Sequence, residues 1–440
     1  MERHSKNNLH YITIQRGRIM NFQYLKSTYA KLPKSVYVIF FSRVVNSIGN
    51  FVYPFLTLLL TSKIGMGEEQ VGLYLLTASI SQIPGSLLGG KLSDVMGRKK
   101  IMITFMSLAA LCFIPCAIFL DYPSTIMYVP WLLILASFFN SIVGPSSGAM
   151  MNDLTGPENR QAAFSMLYMG MNVGTAIGSI VAGFLFNNYI ELLFLGDAAT
   201  TLISIILLAK FVEETKPTEE DFEKIDNTRS DEQVESGGMF AALLKRPRLF
   251  IFAILNTVFS FIYAQTHFSM PLQANAIFGE DLGARYFGTF NMINCLEVIF
   301  LTTIITILTK KIRPLYNVTI AGIFYAVGFG MIYFVSNFWT FVLSTLIWTV
   351  GEIINATNIG VYLANHTPIS HRGRFNAIIS LITGTGGAIS PYIMGGFIAK
   401  NGVGNVWPVI FILGLVSSLS MFILGFTERH QEPVEEKVTA

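Results

Sequence analysis

Twelve stretches of mainly apolar residues, each about 20 residues or longer, run through the chain. A helix of that length crosses the hydrocarbon core of a bilayer, whereas helices of a soluble core alternate apolar and polar faces. The sequence therefore predicts an all-α integral membrane protein with twelve transmembrane helices. The predicted spans are residues 36–60, 69–89, 101–120, 126–149, 161–186, 189–211, 249–274, 287–308, 315–336, 338–363, 374–398 and 405–427.

Composition excludes two classes of soluble protein. Apolar residues make up 52% of the chain and charged residues 13%, while about 25% charged residues is usual in soluble proteins. The 30 Lys and Arg residues nearly balance the 27 Asp and Glu residues, so no strongly basic face for a nucleic acid is expected. We expect the lipid bilayer as the surrounding medium and no nucleic-acid partner.

Positive residues predict the orientation of the chain. All but four of the 30 Lys and Arg residues fall in the tails or in loops on the same side as the tails, and such residues are held on the cytoplasmic side. We therefore expect a multi-pass protein of the bacterial inner or plasma membrane with both termini cytoplasmic. Residues 1–34 are polar and basic and do not resemble a signal peptide, and Met20 is an alternative start.

The longest polar interruption divides the spans into two sets of six. Its first part, residues 213–236, is rich in acidic residues and predicts a solvated, flexible linker. The predicted order is an N-terminal tail, a six-helix bundle, a linker, a second six-helix bundle and a C-terminal tail, at residues 1–34, 35–212, 213–248, 249–427 and 428–440.

A shift of 212 residues aligns the second half of the chain with the first. It superposes Thr155 on Thr367, Arg160 on Arg372, Gly174 on Gly386, Ala176 on Ala388, Ile177 on Ile389 and Gly183 on Gly395. The pattern predicts two six-helix halves related by duplication. Such halves recur in secondary transporters, whose binding site lies between them near the membrane midplane.

The loop after the second span contains Gly90, Leu92, Asp94, Gly97, Arg98 and Lys99. At these positions it resembles the signature loop of the major facilitator superfamily, whereas Val95 stands where that family has a basic residue. The resemblance implies the major facilitator fold and a loop that latches the two halves in the outward-facing state. Asp94 can accept hydrogen bonds from the amides of a helix N-terminus, and Gly90 and Gly97 permit close packing and a tight turn.

The fifth span contains glycines at helix-packing spacing. Gly174 and Gly178, with Gly183 further along, can line a close helix contact, and the run resembles the antiporter signature of this superfamily. Ser179 and Ala182 depart from that signature, and ordinary membrane packing explains the glycines equally well. The arginine that such antiporters carry in the fourth span is absent from this sequence.

Few charged residues remain inside the predicted spans. Arg43 shares a helix face with Asn46 and Asn50, and an intramembrane charge requires a partner or a polar cavity. We interpret this face as lining a central substrate cavity. The alternative is that the Arg43 side chain extends to the membrane surface.

Glu352 and Glu297 lie deep within the tenth and eighth spans. Buried carboxyl groups can exchange protons near neutral pH, so both residues are candidate proton carriers. The run from Gly351 to Arg374 also resembles bacterial proton-driven multidrug transporters of this superfamily. The alternative for each glutamate is a structural carboxylate, paired with Arg43 or hydrogen-bonded to a helix.

Other polar residues within the spans are candidates for the substrate cavity. They are Tyr168, Asn172, Asn256, Tyr263, Gln265, Asn294 and Asn355. His267 is expected to form hydrogen bonds near the outer surface, and Asp197 is expected to interact with a helix end.

The residues and the resemblance together favour a monomeric secondary transporter that exports small amphipathic compounds, cationic or neutral, in exchange for protons. One alternative is a proton-coupled symporter that imports a sugar, peptide or organic anion; another, of a different class, is a membrane receptor or scaffold. We expect no enzyme activity, cofactor or metal. The sequence has neither a phosphate-binding G-x-x-x-x-G-K-[ST] motif nor H-E-x-x-H.

Overall fold

The computed structural model describes residues 32–156, 159–216, 243, 246–367 and 372–429, and no strand occurs among them. The predicted linker 213–248 and the tails 1–34 and 428–440, with Met20, lie largely outside the described residues. Twelve long helices of the described ranges, α1 to α12 in chain order, are Lys34–Gly49, Glu68–Met96, Arg98–Phe119, Val129–Asp153, Arg160–Leu185, Ile190–Phe211, Pro247–Tyr263, Ser269–Thr309, Pro314–Gly330, Phe338–His366, Arg372–Asn401 and Val406–Arg429.

Ten segments of the described chain are long and apolar enough to cross a membrane. One of them, Pro247–Thr309, is 63 residues long and contains two crossings, because the backbone leaves the helical conformation at Gly279 (φ 77°, ψ 165°). Beyond Gly279 the chain doubles back, so that Gly283 lies against the backbone of Asn275. Together with α1, which is too short to qualify by itself, this gives twelve crossings and confirms the predicted all-α membrane fold.

The first crossing is interrupted, in contrast to the continuous helix predicted over residues 36–60. α1 ends at Gly49, and helical turns resume over Leu56–Leu58 and Leu59–Lys63. Pro54 explains the break, because proline has no backbone N–H and disfavours helical geometry in the residue before it. The residue before it, Tyr53, lines two internal cavities.

The two halves of the molecule pack by the same plan. In the first half α1 contacts α5 and α6, α4 contacts α2 and α3, and α3 contacts α6. In the second half α7 contacts α11 and α12, α10 contacts α8 and α9, and α9 contacts α12. Adding six to each helix number converts the first set of contacts into the second, as a duplicated six-helix unit requires.

Glycines bring α5 into close contact with helices of both halves. A Cβ atom at Gly174 would lie 2.5 Å from the Cβ atom of Ser47, and one at Gly178 would lie 2.4 Å from the carbonyl oxygen of Ile48, both on α1. Gly183 instead faces α8, where a Cβ atom would lie 3.0 Å from the Ala284 carbonyl oxygen. The three predicted packing glycines therefore place α5 between α1 and the second half.

The halves meet through α2 with α11 and through α5 with α8. We call the end of the bundle where α1 begins the terminal end, and the opposite end the far end. Near the far end, a Cβ atom at Gly72 would lie 2.3 Å from the Pro391 carbonyl oxygen, and one at Gly395 would lie 2.4 Å from the Glu68 carbonyl oxygen. Toward the terminal end, a cavity lined by Gln82 of α2 and by Ser380 and Leu381 of α11 lies between the halves. The structure is closed at the far end.

Hydrogen bonds between the halves reinforce this closure. The Asn187 side-chain amide donates to the carbonyl oxygens of Glu280 and Asp281, at 3.1 and 3.0 Å. The Thr57 hydroxyl donates to the carbonyl oxygen of His267 at 2.7 Å. Each of these bonds would break if the halves separated at the far end.

Asn187→Ala removes both of its bonds to the kink that follows Gly279 within α8. Each bond contributes about 1 kcal/mol, so the loss of both is expected to raise the population open at the far end by about thirtyfold. The measurement is the rate at which a water-soluble maleimide labels Thr57→Cys, because Thr57 is 1% exposed in the closed structure. Asn405→Ala is the control, since its amide donates to Asn401 in the same half. Equal labelling rates in the two variants would contradict the role of Asn187.

Candidate functional site

The Glu352 carboxyl group on α10 is the meeting point of three helices. The Tyr263 hydroxyl on α7 donates to its Oε1 atom at 2.8 Å, and the Asn294 amide on α8 donates to its Oε2 atom at 2.7 Å. Asn294 also donates to the hydroxyl oxygen of Thr349 at 3.0 Å. Tyr263, Asn294 and Glu352, which are far apart in the sequence, are thus brought together.

Glu297 lies one helical turn from Asn294 on α8 and is 7% exposed. Its Oε2 atom has no hydrogen-bond partner among the described residues, and it lies within electrostatic range of Glu352. The two predicted proton carriers are therefore neighbours. Neither lies within ion-pair distance of Arg43.

Aromatic rings surround the Glu352 carboxyl group. The Tyr263 ring lies 6.2 Å from the ring of Tyr325 and 6.2 Å from that of Trp348, measured between centroids. Asn355, close to Tyr325, leaves its side-chain oxygen without a partner among the described residues. These rings give the wall beside the acid an apolar surface, while Tyr263 supplies a polar contact from the same wall.

Arg43, Asn46 and Asn50 line one cavity, as their shared helix face predicts. It has a volume of about 440 Å³ and lies within the first half, with Tyr53 and Asn140 among its lining residues. The Asn46 amide donates to the hydroxyl oxygen of Thr201 at 3.1 Å. Sequence reasoning missed Tyr53 and Asn140, although polar residues inside apolar spans were a usable signal.

The Arg43 guanidinium contacts a thioether sulfur instead of a carboxylate. Its Nη2 atom lies 3.6 Å from the Sδ atom of Met171 on α5. The Arg43 residue is exposed to the cavity, and no acid of the described chain lies within ion-pair distance. The positive charge is thus available to a molecule inside the cavity.

A larger, mainly apolar cavity of about 750 Å³ lies between α2, α7 and α11. Leu76, Ile80 and Leu381 contribute apolar surface, and Thr257 adds a polar group. A third cavity of about 270 Å³ continues toward Tyr74 and His267. Gln82 of α2 lines all three cavities, so it stands at the junction between the first half and the second.

Three predicted cavity residues, Asn172, Asn256 and Gln265, are buried among the helices. Asn172 donates to the carbonyl oxygen of Tyr168 one turn earlier, at 2.9 Å, whereas Tyr168 itself is 45% exposed. Asn256 is buried, and its side-chain oxygen has no partner in the described chain. Gln265 is fully buried and links helices instead of lining a cavity, because it donates to Ser390 at 2.6 Å and accepts from Ser269 at 2.5 Å.

The α2–α3 loop is fixed to the first half. The Arg98 side chain lies 3.2 Å from Asp153 of α4 and 3.2 Å from Asp94, through Nε and Nη1. The amides of Arg98 and Lys99, which begin α3, donate to the Glu214 carboxylate at 2.7 and 3.1 Å. The acid at this helix N-terminus is therefore Glu214. Asp94, expected to meet a helix N-terminus, has a side chain that is 75% exposed.

The two glycines of this loop differ in their surroundings. Gly97 has φ 98° and makes the tight turn that the sequence predicts. Gly90 does not pack closely, because a Cβ atom there would meet open space. The close contact falls one residue earlier, where a Cβ atom at Gly89 would lie 2.2 Å from the Ile142 carbonyl oxygen. One residue turns a helix position by about 100°, which moves the contact to another face.

Asp197 was expected to interact with a helix end, and this stays a prediction. The residue lies within α6, is 5% exposed and lines the cavity that also contains Arg43. Its Oδ2 atom has no hydrogen-bond partner among the described residues.

Gly97→Ala and Gly90→Ala test the account of the loop. Alanine at residue 97 would adopt a backbone conformation that costs about 1–3 kcal/mol and would meet Glu214, so thermal unfolding is expected at a lower temperature. Alanine at residue 90 has room and favours the helix by about 0.5–1 kcal/mol. The measurement is Tm of the purified proteins in detergent; equal Tm values for both variants would contradict the assigned geometry.

The sequence matches the Major Facilitator Superfamily over residues 39–362 and 318–440. It is 24% identical over 399 residues to a Na⁺, Li⁺, K⁺/H⁺ antiporter of Planococcus maritimus, covering 84% of this chain and 90% of that protein. It is 22% identical over 386 residues to the multidrug resistance protein MdtH of Salmonella typhi, covering 86% and 90%.

An uncharacterized MFS-type transporter of Bacillus subtilis, YttB, is 22% identical to the chain over 394 residues, covering 88% of this chain and 94% of that protein. Among solved structures, a peptide transporter POT in complex with sulfate has a TM-score of 0.69 and 16% identity, covering 92% of this chain and 98% of that one. At that identity the likeness concerns the fold alone.

Proposed function

This chain belongs to the major facilitator superfamily of membrane transporters, and on that basis we propose that it exports small amphipathic compounds, cationic or neutral, in exchange for protons. The observation that carries the proposal is the Glu352 carboxyl group, which receives hydrogen bonds from Tyr263 and Asn294 and has Glu297 nearby. The relatives described as a multidrug resistance protein and as a cation/H⁺ antiporter support both export and exchange.

Exchange would follow because a proton and a cationic compound compete for the same negative charge. Two carboxylates close together in a poorly solvated region repel each other, and either a proton or a cationic compound relieves that repulsion. Protonation of Glu352 from outside would weaken the binding of a cation and favour its release. Loss of the proton to the cytoplasm would restore the negative charge, with Glu297 as the second carboxyl group.

The apolar cavity suits the remainder of an amphipathic compound. Its lining by Ile80, Ile83 and Ile389 offers surface without directional requirements, and such surfaces accept compounds of different shapes. Gln82 and Thr257 provide hydrogen bonds to neutral compounds at its edge. Tyr168, exposed and within electrostatic range of Glu352, would meet the same compound from the first half.

The cycle is alternating access by rocking of the two halves. The distribution of Lys and Arg residues favours a cytoplasmic terminal end, so the structure corresponds to the inward-facing state of a monomer in a bacterial plasma membrane. In the outward-facing state the α2–α3 loop would meet the second half. Asp94, exposed here, would then accept from a helix N-terminus, with residues 213–248 linking the halves in the cytoplasm.

Glu352→Gln tests the proposal directly. A glutamine side chain neither gains nor loses a proton, so proton-driven transport is expected to fall by about tenfold or more. The measurement uses energised inverted membrane vesicles, in which an exporter accumulates the lipophilic cation ethidium while protons leave the lumen. Asp121→Asn, an exposed acid in the turn after α3, is the matched control and is expected to transport at the wild-type rate.

Two results would count against proton-driven export. Accumulation of ethidium that persists in both Glu352→Gln and Glu297→Gln would remove the proposed coupling. The absence of flux in wild-type vesicles across cations, neutral drugs, peptides and sugars would favour a receptor or scaffold.

Arg43 favours a second candidate function, the proton-coupled uptake of an organic anion, peptide or sugar. Its guanidinium faces the 440 Å³ cavity with no carboxylate partner in the described chain, and a guanidinium binds carboxylates and phosphates in a bidentate manner. In this candidate Arg43 would hold the negative group of the substrate.

Arg43→Gln separates the two candidates. If the substrate is a cation, removing a positive charge from the cavity strengthens its binding by about 1 kcal/mol, and the KM for ethidium is expected to fall by about fivefold. If the chain imports an anion, the wild-type protein does not transport ethidium, and the variant loses proton-coupled anion uptake. The measurement is the initial rate against concentration in the same vesicles.

A further inference from the structure

Asp197 is a buried acid for which the proposed cycle has no role. It lies on α6 in the first half, whereas Glu297 and Glu352 lie on α8 and α10 in the second half. The residue is 5% exposed, and its Oδ2 atom is sealed from solvent without a hydrogen-bond partner among the described residues. An ionised carboxylate in such a place is costly unless a cation accompanies it.

The helices around Asp197 supply no positive partner in this state. α6 packs mainly against α1 and α3. From α1, Arg43 and Tyr53 line the same cavity, but the Arg43 guanidinium contacts Met171 and is not within ion-pair distance of Asp197. From α3, Cys112 lies near Tyr53. The described lining contributed by α4, which includes Asn140, is uncharged.

Polar side chains connect the surroundings of Asp197 to α1. The hydroxyl of Thr201, one turn further along α6, lies near the Asp197 carboxyl group. The same hydroxyl oxygen accepts from the Asn46 amide at 3.1 Å. Beside it, Gly49 at the end of α1 packs directly on Thr200. The acid therefore sits where the broken first crossing meets α6.

The space around the Oδ2 atom decides which cation can neutralise the Asp197 carboxylate. A substrate ammonium group or a metal ion could approach the residue from the cavity that it lines, but the Oδ2 atom has no accessible surface for such a contact. A proton needs none. The surrounding oxygen atoms of neutral side chains can stabilise a neutral carboxylic acid without further charge.

We propose that Asp197 binds a proton in the first half, as a second proton site of the chain. The site is separate from the one assigned to Glu352 and Glu297, so protons would be held in both halves. The proposal extends the proposed function, because a transporter with two sites would exchange more than one proton per cycle, but its test does not require transport.

The test is infrared spectroscopy of the purified protein during a pH titration, without any substrate. A protonated carboxylic acid absorbs separately from a carboxylate. In a background of Glu297→Gln with Glu352→Gln, we expect a carboxylic-acid band at neutral pH. Asp197→Asn in that background should remove this band, and the exposed-acid control Asp121→Asn should retain it. Failure of the export proposal would leave these spectra unchanged.

Further variants keep the outcome decisive. If Asp197 is neutral in the folded protein, Asp197→Asn replaces one neutral group by another, and Tm should change by less than about 2 °C. Thr201→Val keeps the acid but removes its hydroxyl neighbour, so the band should shift in frequency. A band unaffected by both variants would overturn the proposal, as would a carboxylate band at neutral pH that disappears in Asp197→Asn.

Discussion

The hydrocarbon core of a bilayer offers no hydrogen-bonding partners, and the rest of the structure depends on this constraint. Backbone groups must be paired within the chain, so the crossings are helical. Where a helix breaks, other groups take over the pairing, as at residues 50–55, where the Phe51 amide donates to the Gly49 carbonyl oxygen at 2.7 Å. The same constraint leaves polar side chains only where partners or cavities receive them, and Glu352 meets that condition with donors from two other helices.

The contacts between the halves are built so that the halves can move. The two interfaces, α2 with α11 and α5 with α8, are equivalent under the duplication, because α2 corresponds to α8 and α5 to α11. At Gly72, Gly288 and Gly395 the nearest atoms across the interface belong to backbone. Backbone surfaces of small residues lack interlocking side chains, so rocking about them requires no repacking of a core. The cavities at Gln82 would then open to either side.

Features that depend on a local pattern could be predicted from the sequence, whereas contacts between residues of different helices could not. Span lengths and the repeat follow from periodic apolar residues, and polar residues inside spans mark candidates such as Tyr263 and Asn294. Contact between helices is decided by rotation about the helix axis, so Gly89 could not be distinguished from Gly90, nor the buried bridge of Gln265 from a cavity position. The Glu214 cap on α3 joins residues more than a hundred positions apart, which no local motif records.

The halves share a backbone plan but not a charge pattern. Under the shift of 212 residues, Glu352 corresponds to Asn140, Glu297 to Gly85, Arg43 to Leu255 and Asp197 to Val409. Since each charge has an uncharged counterpart at the equivalent position, the fold does not need any of them. A charge that is costly in the membrane and unnecessary for packing requires another reason to be there. The two halves therefore differ in the charges they carry within the membrane: Glu352 and Glu297 lie in the second half, whereas Arg43 and Asp197 line a cavity within the first.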